Sequence, residues 1–144
     1  MTDWSLLLHA YGTATDTPGH LERLAHGDDA DARLALDHLW SAVLHQGSVY
    51  TATAPVVLHL ARELPSLRTA EHQAQALAFV AEAARQTAEW PDVERAEGGD
   101  DMDAMFAEAI VAMREAAPEA ATAVAPFAGH DDEEVRIAAY DAIA

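Results

Sequence analysis

Apolar residues recur at intervals of three and four along almost the whole chain, and this spacing restricts its fold more than any other feature. In the clearest stretch the apolar positions are Ala32, Ala35, Leu36, Leu39, Trp40 and Val43. Such spacing places apolar side chains on one face of an α-helix. The one short strand candidate, 47–53, has no second segment of similar character to pair with. The sequence therefore predicts an all-α fold.

Glycine, proline and helix-capping residues divide this pattern into about seven or eight short helices. In chain order the predicted helices are 4–11, 17–26, one opened by 28–31 and closed by 45–47, 53–64, one capped by Thr69, 105–113, one from Pro118 and one from Asp131. Residues 91–103 are acidic around Gly98 and Gly99, which predicts a solvated loop insertion. The whole chain, 1–144, is expected to form a single domain.

The charge of the chain excludes several classes of partner. Its 144 residues carry 25 Asp and Glu but only 8 basic residues, a formal net charge of -17 at pH 7. This charge repels nucleic acid phosphates and anionic membrane surfaces, so we expect neither as a partner.

Cysteine is absent, which excludes disulfides and thiolate metal sites. No apolar run approaches the roughly 20 residues of a membrane span, and no signal peptide is recognisable, so we expect a cytoplasmic protein.

Two segments of the chain resemble each other. Residues 28–41 read DDADARLALDHLWS and residues 131–144 read DDEEVRIAAYDAIA, with identical residues at both aspartates, the arginine and the following alanine. The apolar positions of the two copies also correspond, which indicates the same buried helix face twice. Asp28 or Asp131 is expected to cap its helix, with Asp31 or Glu134 completing a capping box three residues later.

Residues 118–144 combine a helix opened by proline, a tight turn with paired aspartates and the sequence Val-Arg-x-Ala-Ala at 135–139. Together these features resemble a HEAT repeat, most clearly in this part of the chain. Residues 9–12 and 45–53 are similar to the N-terminal part of small actinobacterial HEAT-repeat proteins. This resemblance implies a short right-handed α-solenoid of about three to four antiparallel helix pairs. It also implies that Arg33 and Arg136 pair with aspartates of adjacent turns.

Motifs for catalysis, metal binding and cofactor binding are missing from the sequence. It contains no HExxH, no glycine-rich phosphate loop and no G-x-S-x-G elbow, and Arg33 stands where a calcium loop over 28–39 needs glycine. His9, His26 and His45 precede glycines, a pattern typical of residues that cap the C-terminal end of a helix. We therefore expect no enzyme, no resident metal and no cofactor.

The leading functional hypothesis is a non-catalytic protein-interaction module. Stacked helix pairs form extended surfaces, and a strongly acidic surface attracts a basic partner. In a bacterium this could be an inhibitor or immunity protein that covers a basic toxin, or an adaptor. The candidate contact residues are Asp28, Asp29, Tyr50, Trp90, Asp100, Asp101, Asp131, Asp132, Glu133 and Glu134.

The alternative hypothesis is a ligand or metal site, or a lyase-like activity, because HEAT-like repeats resemble those of bilin lyase-like proteins. The candidate residues are His9, Tyr11, His45 and Tyr50. HEAT-like repeats also resemble those of helical DNA glycosylases, but those enzymes need a basic groove to bind DNA, which this chain lacks. The last helix carries Tyr140 and Ile143, which a further repeat or a second copy would cover, so a monomer or a weak homodimer through this helix is expected.

Overall fold

A computed structural model describes residues 2–44, 48–89 and 101–143. Within these ranges six α-helices carry most of the chain: α1 Thr17–His26, α2 Asp29–His38, α3 Thr53–Glu63, α4 Ala70–Ala88, α5 Asp101–Val124 and α6 Glu133–Ile143. A π-helical segment, Leu39–Val43, continues α2. The predicted all-α class is confirmed, with fewer α-helices in the described ranges than the sequence predicted.

The N-terminal segment forms a small hairpin, so the helix predicted over 4–11 is wrong. After a 3-10 turn, Trp4–Leu6, strand β1 (Leu8–His9) pairs antiparallel with strand β2 (Gly12–Thr13). Gly12 has a φ of 129°, which glycine adopts far more readily than other residues. Periodicity misled here because this backbone bonds to distant parts of the chain in place of its own helical turn.

Four hydrogen bonds connect three segments of the chain: this hairpin, residues 51–53 at the start of α3, and the π-helical segment that continues α2. The Ala10 N–H donates to the Ala42 carbonyl at 2.9 Å, and the Ala52 N–H donates to the Leu8 carbonyl at 3.0 Å. The Leu8 N–H donates to Thr51 Oγ1 at 2.8 Å, and the buried Thr53 hydroxyl donates to the carbonyl of Val43 at 2.8 Å. These bonds satisfy the polar backbone of an irregular segment that packs against the core.

The predicted capping box at the start of α2 is confirmed. The Asp31 N–H donates to Asp28 Oδ1 at 2.9 Å, and the Asp28 N–H donates to Asp31 Oδ2 at 3.2 Å. Thr69 caps α4 as predicted, because its hydroxyl oxygen accepts from the His72 N–H at 3.1 Å. Both caps satisfy backbone donors that the first turn of a helix leaves without partners.

The cap of α6 lies one residue later than the sequence comparison predicted. Asp132, not Asp131, accepts from the N–H groups of Glu134 and Val135, at 2.9 and 3.2 Å. Arg136 donates to the carbonyls of His130 and Asp131 and not to an aspartate side chain. The two sequence copies therefore differ in how their helices begin.

Helix α5 is continuous through Pro118, so the predicted break at this residue is wrong. A proline inside a helix removes one backbone hydrogen bond. Ala116, Ala120 and Val124 are buried on the same helix, and this packing holds it together across the proline. Residues 101–103 of the predicted acidic insertion belong to α5, and residues 91–100 lie outside the described residues.

The helices pack in pairs around one apolar core. Helix α1 packs on α2, α3 packs on α5, and the most extensive contact is that of α4 with α6. Fully buried core side chains include Leu39, Leu60, Leu77, Phe79, Val124 and Val135. Across the described ranges, no helix combines the length and the apolar character needed to cross a membrane.

Gly27 provides the sharpest test of this packing, because the chain turns there between α1 and α2. A Cβ at Gly27 would lie 2.6 Å from the Arg23 carbonyl oxygen and 2.7 Å from Asp31 Oδ2, whereas a Cβ at Gly19, inside α1, would meet nothing within 4 Å. We expect Gly27→Ala to lower the free energy of unfolding by about 1 to 3 kcal/mol. Gly19→Ala should raise it by about 0.5 to 1 kcal/mol. Urea unfolding of the two variants measures both, and equal midpoints would contradict the prediction.

Candidate functional site

The structure places the predicted acidic contact residues at helix starts. Asp28 and Asp29 lie at the start of α2, and Asp131, Asp132, Glu133 and Glu134 at the start of α6; all are exposed except the half-buried Asp132. Asp29 Oδ1 lies 3.9 Å from Arg68 Nη2 and 3.8 Å from His72 Nε2, so the Arg68 guanidinium partly offsets its charge. Asp101 begins α5, whereas Trp90 and Asp100 lie outside the described residues.

The outward side of α6 carries an exposed apolar stripe. Ile137, Tyr140 and Ile143 are 55 %, 63 % and 42 % exposed. Their spacing of three places them along one side of the helix. By the same geometry Glu133, Glu134 and Asp141, also exposed, lie beside the stripe near Ile137. We call this set of six residues the α6 surface.

The aromatic residues of the alternative site occupy different environments. Tyr11 is exposed in the hairpin turn, and its ring lies edge-on to that of His9 at 6.2 Å. Tyr50 is half-buried, with its ring 5.6 Å from that of Phe106. Burial and the nearby Tyr11 raise the pKa of Tyr50. The site's fourth residue, His45, lies outside the described residues.

Three segments that are distant in sequence bring His9, Asp16 and His38 together. His9 ends β1, Asp16 ends the 3-10 turn Ala14–Asp16, and His38 ends α2. One nitrogen of each histidine and one carboxylate oxygen of Asp16 all lie within 4.8 Å of one another. The side chains of His9 and His38 are 4 % and 9 % exposed, whereas that of Asp16 is 55 % exposed. We call this group the His9–Asp16–His38 cluster.

The hydrogen bonds of His9 define its tautomer. Its Nδ1 accepts from the Tyr11 N–H at 3.1 Å, because a backbone amide can only donate. The proton of the neutral ring is therefore on Nε2, which donates to Asp16 Oδ1 at 2.8 Å. Burial raises the pKa of Asp16, but this hydrogen bond and the electrostatic interactions with His38 and His9 outweigh burial and lower the pKa overall.

His38 lies between a hydroxyl, a carboxylate and two other imidazoles. Its Nε2 shares a hydrogen bond of 2.9 Å with Thr17 Oγ1, and its Nδ1 lies 3.9 Å from Asp16 Oδ2. The His20 ring stacks on it at 4.1 Å, and the His9 ring lies edge-on at 5.3 Å. Burial and the charge of His20 lower the pKa of His38 to about 4, against the opposing charge of Asp16. His38 is therefore neutral at pH 7.

This arrangement can bind but is poorly built for nucleophilic catalysis. A nucleophile, a base and an orienting carboxylate could in principle be supplied by Thr17, His38 and Asp16. The Thr17 side chain is fully buried, however, so a substrate cannot reach its hydroxyl. Two imidazole nitrogens and a carboxylate oxygen are, in contrast, common ligands of transition-metal ions. Sequence reasoning missed Asp16, His20 and His38 as site residues, since no short motif connects them.

A cavity between α3, α4, α5 and α6 is less informative about ligands. Its volume is about 270 Å³, and alanine supplies most of its lining, with Val57, Met113, Thr87 and Arg114 among the remaining residues. The Thr87 hydroxyl already donates to the Ala83 carbonyl at 2.8 Å. A specific ligand site needs several polar groups that converge on the ligand, and this lining is mainly apolar.

Comparison with known proteins adds no relative to these observations. No family model, no curated protein and no solved structure matches the chain. Functional inference therefore depends on the chemistry of the residues described above.

The low pKa of His38 predicts a loss of stability in acid. In the unfolded chain a histidine binds its proton near pH 6.5, whereas the folded His38 binds it near pH 4. The unfolded state therefore holds more protons between these values, so the free energy of unfolding falls as the pH falls from about 6.5 towards 4.

We expect His38→Gln to flatten this dependence by about 1 to 2 kcal/mol between pH 7 and pH 5 in urea unfolding under metal-free conditions. His26→Gln, at an exposed position on α1, is the control and should keep the parental slope. A His38→Gln protein with the parental slope would contradict the assignment.

Proposed function

We propose that the chain is a non-catalytic protein-interaction module of HEAT-like type, and that its α6 surface contacts a partner with a basic surface. The observation that carries this proposal is the exposure of Ile137, Tyr140 and Ile143 beside three acidic residues. Exposed apolar residues next to polar ones are typical of protein-binding surfaces.

The packing of the last four helices supports the HEAT-like part of the proposal. Helix α3 contacts α5, and α4 contacts α6, as expected when the first helices of successive pairs stack on each other and the second helices do the same. Ala142 near the end of α6 lines the same cavity as Ala88 at the end of α4, which supports a parallel arrangement of these two helices. The α6 surface would then lie on the second helix of the second pair.

The charge supports a basic partner over a second copy of the chain. Each copy carries a net charge of -17, so two α6 surfaces would bring acidic groups together. A basic protein would meet Glu133, Glu134 and Asp141 with the opposite charge. An inhibitor or immunity protein that covers a basic enzyme fits this description, and so does an adaptor. Asp131, an exposed residue just before α6, would extend the acidic surface.

Site-specific photo-crosslinking tests this proposal. A photoreactive residue at position 140 should crosslink one basic protein in a lysate of the native host, with a yield that falls as salt rises. The same residue at position 111, where Val111 is an exposed apolar residue of α5, is the matched control and should capture little. Crosslinking of equal yield from both positions, or only between two copies of the chain, would overturn the proposal.

Asp141→Arg tests the charge component in the same assay. Asp141 is exposed in the last turn of α6, where a basic side chain is favourable for the helix, so the fold should be retained. We expect this reversal to weaken binding of the captured partner by about tenfold. Asp37→Arg, an exposed reversal near the end of α2, is the control and should have a smaller effect. Equal losses of affinity in both variants would mean that binding depends on the overall charge of the chain and not on the α6 surface.

A further inference from the structure

We infer that His9, Asp16 and His38 form a binding site for a divalent transition-metal ion of the Zn²⁺, Co²⁺ and Ni²⁺ class. This inference does not depend on the α6 surface or on the HEAT-like arrangement. It follows from the distances between the three side chains and from the types of donor atom that they offer.

The distances suit a shared ion. Zn²⁺ lies about 2.0 to 2.2 Å from nitrogen and oxygen ligands, so two ligands of a tetrahedral ion are roughly 3.4 Å apart. His9 Nε2 lies 2.8 Å from Asp16 Oδ1, and His38 Nδ1 lies 3.9 Å from Asp16 Oδ2. The second distance is too long for a hydrogen bond, but one ion could bind both atoms. Small rotations of the three side chains would complete the site.

The donor set selects the class of ion. Two imidazole nitrogens with one carboxylate oxygen suit Zn²⁺ and the neighbouring late transition metals. Ca²⁺ and Mg²⁺ prefer sites made almost entirely of oxygen, so the two histidines disfavour them. Three protein ligands leave at least one coordination position open for water or a small ligand. The exposed Asp16 carboxylate provides a route for the ion from solvent.

The surroundings of His38 prepare it as a ligand. Its Nδ1 lies 3.9 Å from Asp16 Oδ2, and the Thr17 hydroxyl can accept the Nε2 proton while Nδ1 faces the ion. A hydrogen bond to the second ring nitrogen is the usual way in which proteins orient a metal-binding histidine. Buried Thr17 would thus act as a positioning residue for the site.

His9 would have to change its tautomer. In the metal-free chain Nε2 donates to Asp16 and Nδ1 accepts from the Tyr11 N–H. Metal binding at Nε2 moves the ring proton to Nδ1, so the Tyr11 amide must turn away. Tyr11 lies in the exposed turn of the hairpin, where this change disturbs no core packing. The site therefore exchanges two hydrogen bonds, His9 Nε2 to Asp16 and the Tyr11 N–H to His9 Nδ1, for metal–ligand bonds.

Zn²⁺ titration of the metal-free full chain, in competition with a chromophoric chelator, tests the site. We expect one tight equivalent per chain. Asp16→Asn and His38→Gln should each weaken Zn²⁺ binding by about a hundredfold. Substitution of residues that only hydrogen-bond to metal ligands already lowers metal affinity by about 10 to 100-fold. His26→Gln is the matched control, since His26 Nε2 lies 3.7 Å from Glu22 Oε1 in an exposed histidine–carboxylate pair. It should leave the affinity unchanged.

An NMR measurement on the unaltered chain keeps the test independent of variant folding. Substoichiometric Zn²⁺ should perturb the ring resonances of His9 and His38 before those of the exposed His26. The inference is overturned if no tight equivalent exists, if His26→Gln weakens binding as much as His38→Gln does, or if the resonances of His26 respond first. Loss of this site would leave the proposed protein interaction at α6 untouched.

Discussion

The hydrogen bonds between the N-terminal hairpin and the rest of the chain determine the arrangement of the candidate site. This segment is irregular, and its buried backbone groups need partners. The Ala10 N–H finds one in the Ala42 carbonyl, and the Leu8 carbonyl accepts from the Ala52 N–H. These bonds hold β1 beside the end of α2, and His9 consequently lies beside His38. Two histidines that are 29 positions apart in the sequence are thus brought into contact by the hydrogen bonds that the hairpin backbone needs.

Small side chains shape the opposite part of the molecule. Ala76 and Ala83 of α4 and Ala139 of α6 are fully buried, which allows close approach between these helices. The side of α6 that carries Ala139 is buried, and Ile137 and Tyr140 lie on its exposed side. An amphipathic helix would normally carry polar residues there. The three exposed apolar residues on one side of α6 depart from that pattern, which supports the proposal of a contact surface there.

Some local features of the fold were predictable from the sequence, although the cap of α6 was not, and long-range features were not predictable. The capping box of Asp28 and the Thr69 cap depend on residues three positions apart, and both predictions are confirmed. The helix over 4–11 and the break at Pro118 were wrong because distant bonds and burial overrode local signals. The His9–Asp16–His38 cluster has no motif, since three separate segments supply its members. Only the presence of His9 in the alternative site anticipated part of it.

The negative charge of the chain bears on both proposals in different ways. A net charge of -17 attracts any cation, whether it is a metal ion or a basic protein, so a salt effect alone distinguishes nothing. Local geometry does distinguish them. At the His9–Asp16–His38 cluster a single exposed carboxylate faces two buried imidazoles, which favours one small ion with directional bonds. On the α6 surface the carboxylates flank exposed apolar side chains, an arrangement that a bare ion cannot use and a protein surface can. The two regions therefore call for different ligands although they share the same overall field.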